Sequence, residues 1–347
     1  MSTQELLMNL SCSTGVSGHE YMYSAEIEKA FKHYCQEVLV DNIGNVIGIK
    51  QSKISSPIKI MLAAHMDEIG LMVKDIDERG FISFVSIGGV DPRILLAQEV
   101  IVHGKKDLFG IIGAKPPHLQ STEESKKAVK IEDMAIDIGL NADEAKKLVS
   151  VGDIITFQSM PKKLFNDYMS GKSFDDRAGI IVMLECLQEL KNIDHEAEIY
   201  TVATVQEEVG LRGAIVSSYN INPDIGIAID VCHGETPDAP KDNTFQTGKG
   251  PVITIGPNIH PSLSKKLMNI AKEYNIPYQI DVEPGNTGTD AWAIQVARSG
   301  IPTLLISIPL RYMHTTVETF CFKDVANAGK LLALFIKNIG KENLWED

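Results

Sequence analysis

Paired cysteines are missing from this 347-residue chain: its five, Cys12, Cys35, Cys186, Cys232 and Cys321, are odd in number and scattered. That fits reduced thiols in a cytoplasm better than a disulfide framework, and leaves a thiolate metal site unsupported. Positive charge is scarce as well, with 33 Lys and Arg against 46 Asp and Glu, a formal net charge of -13. Such a balance argues against a nucleic-acid backbone as partner. No run approaches the roughly 20 apolar residues of a membrane span, and no basic start leads into an apolar stretch. Neither membrane nor secretion is expected, so the cytoplasm is the expected compartment. Repeats and low-complexity segments are absent. What is present is ordinary for a globular protein: 44% hydrophobic and 23% charged residues. The length exceeds one ordinary core, so two domains are expected.

The chain is organised around Tyr200-Thr-Val-Ala-Thr-Val-Gln-Glu-Glu-Val-Gly. Its β-branched, apolar run predicts a buried strand of a parallel sheet, ending abruptly in Glu207 and Glu208. Neighbouring residues at a strand end point different ways, so one carboxylate can bind a metal while the other acts as a base. In chain order, Gln4 to Leu10 and Glu20 to Tyr34 read as helices, and Val38 to Val40 and Val46 to Ile49 as short strands. Ile58 to Ala64 is a strand running into His65-Met-Asp67-Glu68. From about Gly70 to Phe165 the texture becomes short alternating segments broken by Gly, Pro and Asp, which predicts a small β-barrel or sandwich. A polar, lysine-rich stretch from Thr122 to Lys130 interrupts it. From Asp175 onward strand and helix alternate, with strands at Ile199 to Val205, Ile225 to Ile229 and Leu304 to Ile308. The reading is an α/β fold: a mixed, mostly parallel sheet with helices on both faces, with an inserted small β-barrel domain. Residues 1–69 and 166–347 are expected to form the α/β unit, and residues 70–165 the insert.

Three apolar strands end in His65, Glu208 and Asp230, and His314 follows a fourth by a short loop. In open α/β sheets the ligand site lies outside the carboxyl ends of the strands, so these side chains meet at one rim. Asp175 and Asp176 precede a helix start, where a lone Asp is usually an N-cap. Together the histidines and carboxylates suit a pair of divalent ions, zinc or cobalt first and manganese next. Asp67, two residues after His65, can take the other N–H of that imidazole.

Ala64-His-Met-Asp-Glu-Ile-Gly, Phe174-Asp-Asp-Arg-Ala-Gly, Gln206-Glu-Glu-Val-Gly-Leu-Arg-Gly-Ala, Gly288-Thr-Asp-Ala and His314-Thr-Thr together resemble the dinuclear metal aminopeptidases. That family includes glutamyl, leucyl and deblocking aminopeptidases, with tetrahedral twelve-subunit members and a zinc-peptidase-like fold. The resemblance spans nearly the whole chain, insert included. It implies that His65 and Asp230 hold one metal, Glu208 and His314 the other, and that Asp175 bridges them. It makes Glu207 the catalytic base and Asp67 the residue that orients His65, and it implies a cis bond between Asp175 and Asp176. It further implies peptide substrates with a free N-terminus, their α-amine held at the metal centre. Assembly as a homo-oligomer is implied too, a dodecamer built from dimers, with the inserted barrel helping to make the contacts.

Three other readings compete. A related metal-dependent deacylase or carboxypeptidase uses similar ligands, but the Gln206 motif favours the aminopeptidases. A glycoside hydrolase would use two carboxylates and leave His65 and His314 without a role. A non-enzymatic scaffold with structural metals would be expected to be closed and rich in cysteine. For side-chain specificity, Arg177, Lys249 and His260 are the polar candidates near the motifs.

Overall fold

The computed structural model describes residues 1–122 and 126–340. Strands β1 (Glu37–Val40), β2 (Val46–Lys50) and β3 (Lys59–His65) come first, then β4 (Gly70–Ile76), β5 (Ile82–Ile87), β6 (Glu99–His103), β7 (Asp107–Ile112), β8 (Ile136–Asp137) and β9 (Ile154–Phe157). They are followed by β10 (Lys162–Lys163), β11 (Tyr168–Gly171), β12 (Glu198–Thr204), β13 (Ile225–His233), β14 (Val252–Ile255), β15 (Gln279–Val282), β16 (Thr303–Leu310) and β17 (Glu318–Cys321). The α-helices are α1 (Thr3–Cys12), α2 (Ser24–Phe31), α3 (Ala142–Leu148), α4 (Phe174–Glu189), α5 (Arg212–Ile221), α6 (Pro261–Glu273), α7 (Asp290–Gln295) and α8 (Phe322–Lys337).

Eight strands form the main sheet in the order β1-β2-β12-β3-β13-β16-β14-β15. Its centre, β12-β3-β13-β16, is parallel, with antiparallel neighbours at β2 and β14. Strand β3 is buried from Ile60 to His65, as a continuous apolar run between covered faces must be. Helix α4, with α1 and α8 packed on it, covers one face, and α5 and α7 cover the other. The fold is therefore α/β with a mixed, mostly parallel sheet. The strands β4-β5-β8-β7-β6-β9 close into a separate barrel around Leu71, Val73, Phe84, Val100 and Ile155. No helix among the described residues is long and apolar enough to cross a membrane.

Several local expectations shift. The helix expected from Glu20 to Tyr34 is a 3-10 turn at Glu20–Met22 followed by α2, with Tyr23 buried between them. Strand β13 runs on to His233, so Asp230 lies inside a strand, in register with Ser307, rather than at its tip. Strand β14 and the edge strand β15 arise from a stretch whose Gly and Pro residues hid them. So does the small sheet β10-β11-β17, which joins the chain after the barrel to the segment after His314. Within the polar stretch from Thr122 to Lys130, residues 123–125 lie outside the described residues.

Candidate active site

The loop after β12 carries Glu207 and Glu208, and distant side chains hold its backbone. Val205 N–H donates to Asn45 Oδ1 at 3.0 Å and Gln206 N–H to Glu20 Oε1 at 3.0 Å. Glu207 and Glu208 N–H donate to the two carboxylate oxygens of Asp67, at 3.0 and 3.2 Å. Gln206 takes a left-handed conformation, φ 56°, rare for a non-glycine residue and tolerated where the surroundings over-determine it. Sequence reasoning missed Asn45 and Glu20, because these partners lie 160 and 186 residues away in the chain.

The candidate residues converge on Asp175. His65 Nε2 lies 3.0 Å from Asp175 Oδ1, and His314 Nε2 lies 3.1 Å from Asp175 Oδ2. His314 Nε2 is also 3.0 Å from Glu208 Oε1. Two donor groups result, His65 with Asp175 and Asp230, and Asp175 with Glu208 and His314, the donor atoms of each within 4.8 Å of one another. The Asp175–Asp176 bond is cis. Both aspartates depart from helical geometry, and Asp176 caps the helix proper by accepting from Gly179 N–H at 3.0 Å. Glu207 belongs to neither group and lies beside the first, its Oε2 4.0 Å from His65 Nε2.

The imidazoles are oriented from behind. His314 Nδ1–H donates to Gly89 carbonyl, in the barrel, at 2.9 Å. His65 Nδ1–H donates to the main-chain carbonyl of Asp67 at 3.1 Å, while the Asp67 carboxylate is 3.5 Å away. Asp67 therefore reaches His65 chiefly through its backbone, and its carboxylate grips the Glu207–Glu208 loop and Ser17 Oγ.

Crowded acids at a buried rim compete for positive charge. Burial, then the charges of Asp230, Asp290 and Glu208, outweigh the attraction of His65 and push the Glu207 carboxyl up to about 10. Burial and the neighbouring Asp175 charge push Glu318 up to about 8. Burial opposes charge on His314, yet its bonds to Asp175 and Glu208 prevail and hold it near 11. Burial likewise opposes charge on Asp175, but the two imidazoles hold it well below the usual carboxylate range. Protons thus do here what a cation would do, and the donors are the nitrogen and oxygen atoms that borderline divalent ions take. The residues fit a pair of such ions.

A cleft of about 760 Å³ opens beside these groups. Besides the site residues, its walls carry Asp242, Asp281, Glu283, Thr254 and Ser307, and no Lys or Arg among the described residues. None of the three specificity candidates lines it. Arg177 is buried against Tyr23, its guanidinium 3.2 Å from Glu68, which also pairs with Lys172 at 2.5 Å. Lys249 is exposed elsewhere, and His260 precedes α6.

Residues 44–331 match the family described as M42 glutamyl aminopeptidase. A lysyl aminopeptidase of Pyrococcus furiosus is 38% identical over 340 residues, 96% of this chain and 97% of that one. A TET aminopeptidase structure from a marine-sediment Thaumarchaeota archaeon superposes with a TM-score of 0.92 at 35% identity, covering 98% of each chain. The TET1 peptidase of Pyrococcus horikoshii, described as assembling into a tetrahedron or a large octahedral shell, gives 0.86 at 34% identity, covering 97% of this chain and 100% of that one. This chain is an aminopeptidase and belongs to the M42 glutamyl aminopeptidase family.

Proposed function

We propose that the chain removes N-terminal residues from peptides with a free amine, using two divalent metal ions, zinc or cobalt before manganese. His65 and Asp230 would hold one ion, Glu208 and His314 the other, and Asp175 would bridge. The observation that carries this is Asp175 itself, whose two oxygens face different imidazoles at 3.0 and 3.1 Å. A bound pair of divalent ions supplies carbonyl polarisation and a more acidic water. Glu207, outside both donor groups, takes a proton from the attacking water and hands it to the leaving amine as the C–N bond breaks. Asp67 fixes the loop that aims Glu207 and helps orient His65.

The cleft walls support a preference for basic N-terminal side chains. Asp242, Asp281 and Glu283 would pair with a Lys or Arg side chain and repel an acidic one. A panel of aminoacyl chromogenic substrates, with and without chelator, tests both points. Lysyl and arginyl substrates should show higher kcat/KM than glutamyl, and chelation should abolish all turnover until metal is restored. Turnover that survives complete metal removal would refute the dinuclear reading, and glutamyl preference would refute the cleft assignment alone.

We also propose a division into an α/β unit, residues 1–69 and 166–347, and an insert, residues 70–165, that helps join dimers into a dodecamer. Exposed Val85, Phe109 and Ile111 on the barrel, and Ile215, Tyr219, Trp292 and Val296 on α5, α7 and the residue after α7, are apolar surface available for contacts. The shell-forming relative lends support. Light scattering should give a mass near twelve subunits, and a monomer would sink the assembly. All five cysteines are free, in keeping with a cytoplasmic setting.

A further inference from the structure

Glu318 is only 2% exposed and sits on β17, paired in register with Gly171 on β11. Its neighbours in space are the two segments that deliver Asp175 and His314. Oε2 accepts from Phe174 N–H at 2.7 Å and from Asp175 N–H at 3.2 Å. Oε1 accepts from His314 N–H at 2.9 Å. One side chain thus ties together main-chain groups of the two segments. His314 needs such a tie, because its φ of 59° is a left-handed conformation that a histidine seldom holds unaided. A glutamate kept only to fill space would be a poor choice, since burying a carboxylate costs free energy that an apolar residue does not incur.

We propose that Glu318 is a positioning residue, setting the separation and orientation of Asp175 and His314 so that both reach the same ion. This rests on the reading of Asp175, Glu208 and His314 as metal ligands. The small sheet β10-β11-β17 then has a task, which is to carry this carboxylate to the point where the two ligand segments meet.

Glu318→Gln tests it, because glutamine keeps the size but presents N–H₂ where one oxygen accepted, so one of the two grips must fail. Glu318→Asp, one methylene short, keeps the charge and serves as the second variant. Purified variants are titrated with cobalt(II) or zinc(II), reading stoichiometry and affinity by absorption and metal analysis, with circular dichroism as the check on folding. Wild type should bind two ions per chain. Glu318→Gln should bind the ion shared by Asp175 and His314 about 10–100-fold more weakly, the usual loss for an outer-shell partner, and the ion shared by His65 and Asp230 less so, because only Asp175 links it to Glu318. Glu318→Asp should fall between, and excess metal should restore kcat with little change in KM. If a folded variant binds both ions as tightly as wild type, or weakens both equally, the proposal is overturned. His314→Ala separates this from failure of the ligand reading. If His314→Ala loses an ion while Glu318→Gln keeps both, only the positioning role falls; if His314→Ala keeps both, the ligand reading and this proposal fall together.

Discussion

Glu207 and Glu208 are adjacent in sequence, share one loop, and face different chemistry. Glu208 Oε1 touches His314 Nε2 at 3.0 Å, inside a donor group, whereas Glu207 lies outside both groups. A ligand must hold an ion, and a base need only move a proton, so the two should fail differently. Glu207→Gln keeps shape but cannot accept the proton. It should retain two ions, bind substrate normally, and lose turnover by the order of 10²–10⁴ typical of a missing general base. The loss belongs in kcat, because the transfer occurs only on the way to the transition state. Glu208→Gln should instead weaken one ion, with partial rescue by excess metal. Metal analysis beside steady-state kinetics distinguishes them, and wild-type turnover in Glu207→Gln would end its assignment as the base.

The loop from β12 to α5 shows why elements matter as much as residues. Gly213, in the first turn of α5, lies so close to β12 that an added Cβ would stand 2.4 Å from Val205 N and 2.4 Å from Asn45 Oδ1. Backbone there cannot yield cheaply, so Gly213→Ala should destabilise the fold by about 1–3 kcal/mol, as overpacking does. It should also lower kcat, because Val205 leads directly into the Glu207 loop. Thermal unfolding and kinetics check this, and a variant with unchanged Tm and kcat would refute the coupling. The strands delivering the site were legible because long β-branched runs such as Thr201 to Val205 permit little else. His65 and Glu208 stood out because polar groups at the ends of such runs are unusual, and His314 because it follows such a run by a short loop. Less was legible where the signal is relational. Asp67 meets Glu207 across 140 residues, and Glu318 meets Phe174 across 144, distances over which no local pattern operates. The short strands β10 and β17 carry too few residues for periodicity, and Arg177 looked available only because its burial on Glu68 and Tyr23 cannot be read from spacing.

At the scale of the whole molecule, the active-site rim is a concentration of like charge that costs the fold stability unless protons or cations offset it. Without ions, protons take that part. Glu207 and Glu318 are raised to about 10 and about 8 by burial and neighbouring carboxylates. His314, despite burial, is held near 11 by its carboxylate partners. The sign is the same for all three. Each binds a proton more readily in the folded metal-free protein than in the unfolded chain. Stability of the metal-free form therefore falls as pH rises, from about 4.5 for the glutamates and about 6.5 for the histidine toward their folded values. Divalent ions bound at the proposed ligands would take over the part those protons play, so loading should release protons and flatten the dependence. The gap in Tm between metal-loaded and chelated protein should widen steadily from about pH 6 to about pH 9. Calorimetric scans across that range test it, together with metal titrations in buffers of different ionisation enthalpy. A gap that stays constant, with no proton release on loading, would refute the exchange of protons for ions at this rim.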